Sequence, residues 1–213
     1  MRYFIAIVCS LAMIACCKKD NDLTRYHEDG RAKPVIAVAS VIDTTTFDVP
    51  WSISEEMTSL IVSRISQGGS IYVVKKDDLA YTENPFGPDL GWMKREFPDN
   101  EFVVFIELVE HDNVPVAKSA KKVTEVPFET SINLKMAVRV RVVDLRTATP
   151  QIVLQEMIRD SYFIPKTDIP TDYSVAVWGT EEYGKSPMGI AHDQIVQEIA
   201  TRIGEYVHLA KSR

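Results

Sequence analysis

Beyond residue 17 this sequence contains no cysteine: of its 213 residues, only Cys9, Cys16 and Cys17 carry a thiol. Disulfides, thiolate metal sites, redox pairs and cysteine nucleophiles are therefore excluded from everything downstream, and a domain there must be held by burial alone. Histidine is scarce as well. His27, His111, His192 and His208 form no His-x-x-x-His or Glu-x-x-His pairing, and the last two stand too far apart along one helix to share a metal ion. His192-Asp193 looks like an acid–base pair, but sequence neighbours on a helix do not face one another, so His192 reads as a solvated helix residue. There is no Gly-x-Ser-x-Gly elbow, no phosphate-binding glycine loop and no Gly-x-Gly-x-x-Gly fingerprint. Gly68-Gly69 follows a helical pattern, where a phosphate loop would precede one. A basic excess is missing too: the formal charge is −6, which lends no support to nucleic-acid binding. These absences predict a protein without a catalytic site, bound metal or cofactor.

What is present starts at the amino terminus. Arg2 supplies a basic start, Phe4 to Ile14 form an apolar stretch, and Met13-Ile14-Ala15-Cys16 closes it with a small residue just before a cysteine. The stretch falls short of the roughly 20 apolar residues a permanent span requires, but has the length of a secretory h-region. This arrangement resembles a bacterial lipoprotein signal, which implies cleavage before Cys16, a diacylglycerol on its thiol and an acyl chain such as palmitate on the new amino group. Several acyl chains at roughly 0.8 kcal/mol per buried methylene anchor a protein stably. Cys17 is an alternative acceptor; Cys16 keeps Ala15 at the small-residue position and is preferred. Residues 1–15 are then the signal peptide and 16–33 a lipidated flexible tether. The segment from Cys17 to Lys33 is charged, lacks an apolar period, and spans at most roughly 60 Å when extended.

Residues 34–213 suffice for one ordinary domain. Val35 to Ile42 is a run of Val, Ile and Ala expected for a strand buried on both faces. Ser52 can cap a helix, with Glu55 at the reciprocal capping position and Glu55 and Glu56 complementing the helix dipole. Ile53, Met57, Leu60, Ile61 and Ile65 form one apolar stripe, and Gly68-Gly69 stops the helix before a strand at Ser70 to Val74. The product is a β-α-β unit with parallel strands. A short helix is expected from Asp89 through Phe97, and Glu101 to Glu110, apolar on both faces, reads as a central strand. His111 to Glu129 reads as an exposed connection. In Ser131 to Leu145, Ile132, Leu134, Met136, Val138, Val140 and Val142 alternate with Asn133, Lys135, Arg139 and Arg141, which predicts one buried and one wet face. Gln151 to Ile164 is its antiparallel partner, bulged near Gln155-Glu156. A long loop from Pro165 to Ser186 precedes a helix that starts at Ser186-Pro187 and runs to about Leu209.

Three stretches carry a resemblance: Val35-Ile36-Ala37-Val38-Ala39 before a polar loop and helix, Ile71-Tyr72-Val73-Val74 with Asp78-Leu79, and Val138 to Leu145 ending in Asp144-Leu145-Arg146-Thr147. Together they resemble the CsgG-like family of bacterial envelope lipoproteins, which includes the curli-secretion subunit and smaller relatives such as LpoB and PelC. The likeness covers most of residues 34–210, with Ala148 where the family often has glycine. It implies a single-domain α/β sandwich with a mixed sheet, an envelope protein partner, homo-oligomers in some members, and a place at the periplasmic side of the outer membrane. On that basis the chain is expected to be a non-catalytic scaffold or regulator in envelope assembly or secretion. The alternative is an oligomeric secretion-pore subunit, which needs two extra hairpins with about 9–11 residues per strand. Residues 81–100 and 165–186 are long enough but rich in Pro, Gly and charge.

For contact with a partner, the candidates are Tyr173, Trp178 and Tyr183, aromatic residues in a long loop, which either meet a partner or fold back over their own core. Lys135, Arg139 and Arg141 form a basic row that reads as a solvated strand face.

Overall fold

The computed structural model describes residues 23–75, 83–116, 131–165 and 171–213. The signal, Cys16, Cys17, the start of the tether, Asp78-Leu79 and residues 117–130 lie outside the described residues. The chain divides into two compact units, Met1–Ala32 and Lys33–Arg213. In the first, a 3-10 turn at Leu23–Arg25 precedes a bridge between Tyr26 and Ala32. Gly30 turns that bridge with φ 81, and Arg31 pairs with Asp29.

The second unit opens with β1 (Val35–Val38) and β2 (Ile42–Asp43), where the apolar run predicts one continuous strand. Side chains of the following helix cause the break. Thr58 Oγ1 accepts the Val41 N–H at 2.9 Å, and the Ser54 hydroxyl donates to the Val41 carbonyl. With those backbone groups taken, the ladder resumes only at Ile42, which pairs with Glu107 further along the sheet. The helix, α1 (Ile53–Gln67), is capped by Ser52, whose hydroxyl accepts the Glu55 N–H at 3.2 Å. Ile53, Met57, Ile61 and Ile65 are buried, Leu60 partly so. Gly69 at φ 67 turns the chain out of the helix into β3 (Tyr72–Lys75), parallel to β1 as a β-α-β unit requires.

After a turn at residues 84–87, a short helix, α2 (Gly91–Glu96), leads to β4 (Phe102–Pro115). The strand is central, as its two-sided apolarity predicts, but outlasts Glu110 and continues through Pro115. Residues 111–116 are therefore mainly strand and not an exposed connection. A bulge between Leu108 and Glu110 puts Val109 outside and reverses the alternation, so the polar Glu110-His111-Asp112-Asn113 continues a ladder it does not resemble. The antiparallel strands β5 (Ile132–Asp144) and β6 (Gln151–Ile164) complete the sheet. Their bulge falls at Val153, slightly before Gln155-Glu156. The order is β3-β1-β4-β5-β6 with β2 on β4, leaving β6 at one edge.

Two layers of side chains cover the sheet. Ile36, Val38, Val104, Ile106, Val138 and Val140 meet α1 and a long helix, α4 (Pro187–Lys211), in the main core. Between β6 and α4, residues 171–185 form a strap ending in α3 (Glu181–Lys185), and Ser186 both closes α3 and caps α4. On the other face Ala37, Val103, Phe105 and Val143 pack with Trp92, Met93 and Phe97.

That second core corrects the reading of β5 as half wet. Arg141 is buried: its guanidinium donates to the carbonyls of Pro85, Phe86 and Gly87 at 2.8, 2.9 and 2.7 Å and to Gln155 Oε1. Arg139 pairs with Glu107 and lies 4.4 Å from the centre of the Phe86 ring. Of the predicted basic row, Lys135 is exposed, Arg139 half-buried and Arg141 buried. Since lysine cannot reproduce a planar fork with five donors, Arg141→Lys is expected to cost about 1–3 kcal/mol and to raise amide exchange in residues 84–88.

Candidate functional site

Glu56 lies three residues after Ile53 and four before Leu60, on the apolar face of α1. On α4, His192 precedes Ile195 and Ile199 along the buried stripe. The packing of these two helices places both side chains at 0% exposure. A carboxylate in such a place is tolerated only if its lone pairs are filled. Trp51 Nε1–H donates to Oε2 at 2.8 Å, His192 Nδ1–H donates to Oε1 at 2.7 Å, and the Tyr183 hydroxyl donates to the same Oε1. The far ring nitrogen of His192 meets His111 Nε2 at 2.8 Å. His111, from β4, is 1% exposed, stacks edge-on against Phe47 with ring centres 4.1 Å apart, and has no hydrogen-bond partner at Nδ1.

The bonding pattern assigns the protons. With His192 Nδ1–H turned to the carboxylate, neutral His192 has an acceptor at Nε2, so His111 Nε2–H donates across the pair. His111 Nδ1 is then a bare lone pair. Burial opposes ionisation of Glu56, but the bonds from His192, Tyr183 and Trp51 outweigh it and hold its carboxyl below the ordinary value. Burial, aided by neighbouring His192, pushes His111 down from 6.5 to about 4. Burial and the adjacent carboxylate raise the Tyr183 hydroxyl well above the usual phenol range.

One expectation is overturned by this arrangement: His192 is not a solvated helix residue. Glu56 stands in the first turn of α1, as expected, and is a buried acceptor there. Each residue's place on an apolar stripe was visible in the sequence; that the two stripes face one another was not. The cluster is sealed from solvent, so it can store or exchange a proton but cannot touch a substrate in this conformation. Among the described residues, no group of three or more His, Cys, Asp or Glu could hold a metal ion.

Of the candidate contact aromatics, Tyr183 is buried in this cluster, and Tyr173 and Trp178 pack partly buried against the main core. Trp51 holds the strap from below, its ring 5.2 Å from Tyr183 and 6.4 Å from Tyr173 between centres. The exposed apolar residues nearby are Phe163 on β6, Val175 on the strap and Ile190 on α4; Phe163 is 61% exposed. Cys16 lies outside the described residues, among which no helix is long and apolar enough to cross a membrane.

Among the described residues, an open mixed sheet of six strands with four helices makes this a single α/β domain. The chain belongs to a family of unknown function, DUF7499, whose model matches residues 22–211. No curated protein matches it. A hypothetical protein of Chlamydia trachomatis, solved by crystallography, shares the fold with a TM-score of 0.63 and 23% identity, covering 83% of this chain and 98% of that one. A Xanthomonas campestris protein of family model DUF330 gives a TM-score of 0.49 at 9% identity, over 85% of this chain and 89% of that one. The PelC dodecamer of Paraburkholderia phytofirmans gives 0.39 at 10% identity, over 67% and 79%. These last two likenesses are too slight to argue from.

Proposed function

We propose that this protein is a lipoprotein moored to the outer membrane through Cys16, whose domain acts in the periplasm as a non-catalytic scaffold or regulator for a protein partner in envelope assembly or secretion. The observation that carries the reading is the amino-terminal sequence: Arg2, the apolar stretch from Phe4 to Ile14, and Ala15 directly before Cys16. Two further points support it. The acid–base residues brought together by the fold are enclosed, as in a protein that binds rather than reacts, and the motifs at Val35, Ile71 and Val138 resemble those of envelope lipoproteins.

Metabolic labelling with palmitate tests the anchor. The wild type is expected to incorporate label and fractionate with outer membranes, whereas Cys16→Ser should lose the label and leave the membrane fraction. Label retained by Cys16→Ser would sink the assignment. For the partner, photo-crosslinkers at Phe163, Val175 and Ile190 should capture an envelope protein that a crosslinker at buried Tyr183 does not. Ring particles with single-channel conductance from the purified chain would replace the scaffold by a secretion-pore subunit.

A further inference from the structure

The two ends of the sheet carry different things. The chain enters the second unit at Lys33 and runs into β1, where the Val35 carbonyl accepts the Glu101 N–H at 2.9 Å. Lys211, near the end of α4, donates to the Glu101 carboxylate. The entry therefore lies where β4 begins and α4 stops. The other end is set by the register of Pro115 with Ile132 and of Ile132 with Ile164, which brings the close of β6 level with the close of β4. At about 3.3 Å per residue, the 14 residues of β4 hold the two ends roughly 40 Å apart.

At the end remote from the entry, an open groove of about 900 Å³ runs between β6, the strap and the start of α4. Its size is within the range of sites for small ligands and short peptides. Asp160 and Phe163 come from β6, Ala176 and Glu182 from the strap, and Pro187 and Ile190 from α4. Ala176 is buried, whereas Phe163 and Ile190 leave apolar surface open to water. Asp160 and Glu182 are exposed on facing elements, and neither is paired with a cation among the described residues. Asp160 accepts the Ser161 N–H at 2.7 Å, which leaves lone pairs for a ligand. Lys185, also in the lining, is already engaged by Glu181.

This charge selects the occupant. A second copy seated symmetrically would bring acid against acid, and anionic lipid headgroups would be repelled in the same way. A basic peptide meets neither obstacle. We propose that the groove binds a short segment of a protein partner in which an apolar side chain lies between lysines or arginines. The apolar group packs on Phe163 and Ile190, and the cations meet Asp160 and Glu182. The proposal gives the chemistry of the partner in the partner-binding reading above and rests on that reading. Because the tether enters at the other end, an anchored domain engages such a segment without turning toward its own bilayer.

Titration calorimetry on the full chain in neutral detergent micelles tests the groove with end-blocked Lys-Leu-Lys-Leu-Lys, Glu-Leu-Glu-Leu-Glu and Lys-Gly-Lys-Gly-Lys, corrected for heats in micelles alone. The first peptide is expected to bind about tenfold more tightly than the others, and to lose about tenfold in affinity on Asp160→Lys or Glu182→Lys, where attraction becomes repulsion. Glu205→Lys, toward the other end of α4, should leave the affinity unchanged. A photo-crosslinker at Ile190 should capture the basic peptide, and one at Leu209 should not. All these side chains are exposed, so the variants keep the fold. Equal binding of the acidic peptide, an affinity unmoved by both charge reversals, or equal capture at Leu209 overturns the proposal. So does a dimer that Phe163→Ser dissolves, which gives the groove to a second copy. None of these measurements uses Cys16, so failure of the groove and failure of the anchor are read apart.

Discussion

Glu56→Ala is expected to lower the stability of the domain by about 3–5 kcal/mol, since each buried donor left without an acceptor costs about 1–3 kcal/mol. The substitution strips the acceptor from Trp51 Nε1–H, His192 Nδ1–H and the Tyr183 hydroxyl at once. Tyr183 lies 2.9 Å from His192 Nδ1 and can re-pair with it after a tautomer change, which places the expected loss toward the lower end. Glu56→Gln preserves the shape and one acceptor oxygen but turns an amide N–H toward existing donors, and should cost about half as much. Urea denaturation monitored by circular dichroism gives both values. The acid limb gives a second check. Because folding holds the Glu56 carboxyl below its ordinary 4.5, its contribution is present above that pH and fades as pH falls through the folded value. The alanine variant should show a flatter decline there. An Ala variant within 1 kcal/mol of wild type would mean that the cluster is not held together by its carboxylate.

Gly189→Ala is the second large effect, and a second glycine in the same helix reverses its sign. In an exposed helix interior, alanine for glycine stabilises by about 1 kcal/mol. At Gly204 a Cβ would meet nothing within 4 Å, and Gly204→Ala should show that gain. At Gly189 a Cβ would collide with the Tyr183 carbonyl oxygen, which accepts the Ser186 N–H at 2.9 Å. A backbone carbonyl fixed by its own hydrogen bond cannot swing aside, so α4 and α3 must separate, at a cost of about 1–3 kcal/mol typical of overpacking. Thermal unfolding of the two variants side by side should move the midpoint in opposite directions. Equal shifts would show that the close approach of strap and helix does not persist in solution.

Much of the fold was legible because local signals agreed with one another. Ser52 and Ser186 each cap the helix they were expected to start, Gly68-Gly69 ends α1, and the alternation from Ile132 to Val142 lies on the face buried in the main core. The misreadings arise where a side chain from a distant element interferes. Val41 leaves the ladder because Thr58 and Ser54 engage its backbone. Arg141 leaves the wet face because the turn at 84–87 folds over it, and nothing in the strand announces that turn. The extension of β4 was hidden by its bulge, which breaks the two-residue period at Val109 just where the polar residues begin. For the cluster, the available clue was one ionisable residue on the apolar stripe of each of two helices. Pairing them needed the α1–α4 contact, which no single-segment pattern contains. Tyr183 stood out as an aromatic loop residue, and its burial follows only from that same contact.

Strand β6 has a consequence for how the domain meets other extended chains. Among the described residues, its 14 positions pair on one side only, with β5, so the outer row of amides and carbonyls is a template on which another extended chain could stack. Three charged side chains, Glu156, Arg159 and Asp160, and the kink at Val153 interrupt that row. A chain aligning there would have to strip water from those charges and follow a bend, a mismatch that opposes edge-to-edge pairing.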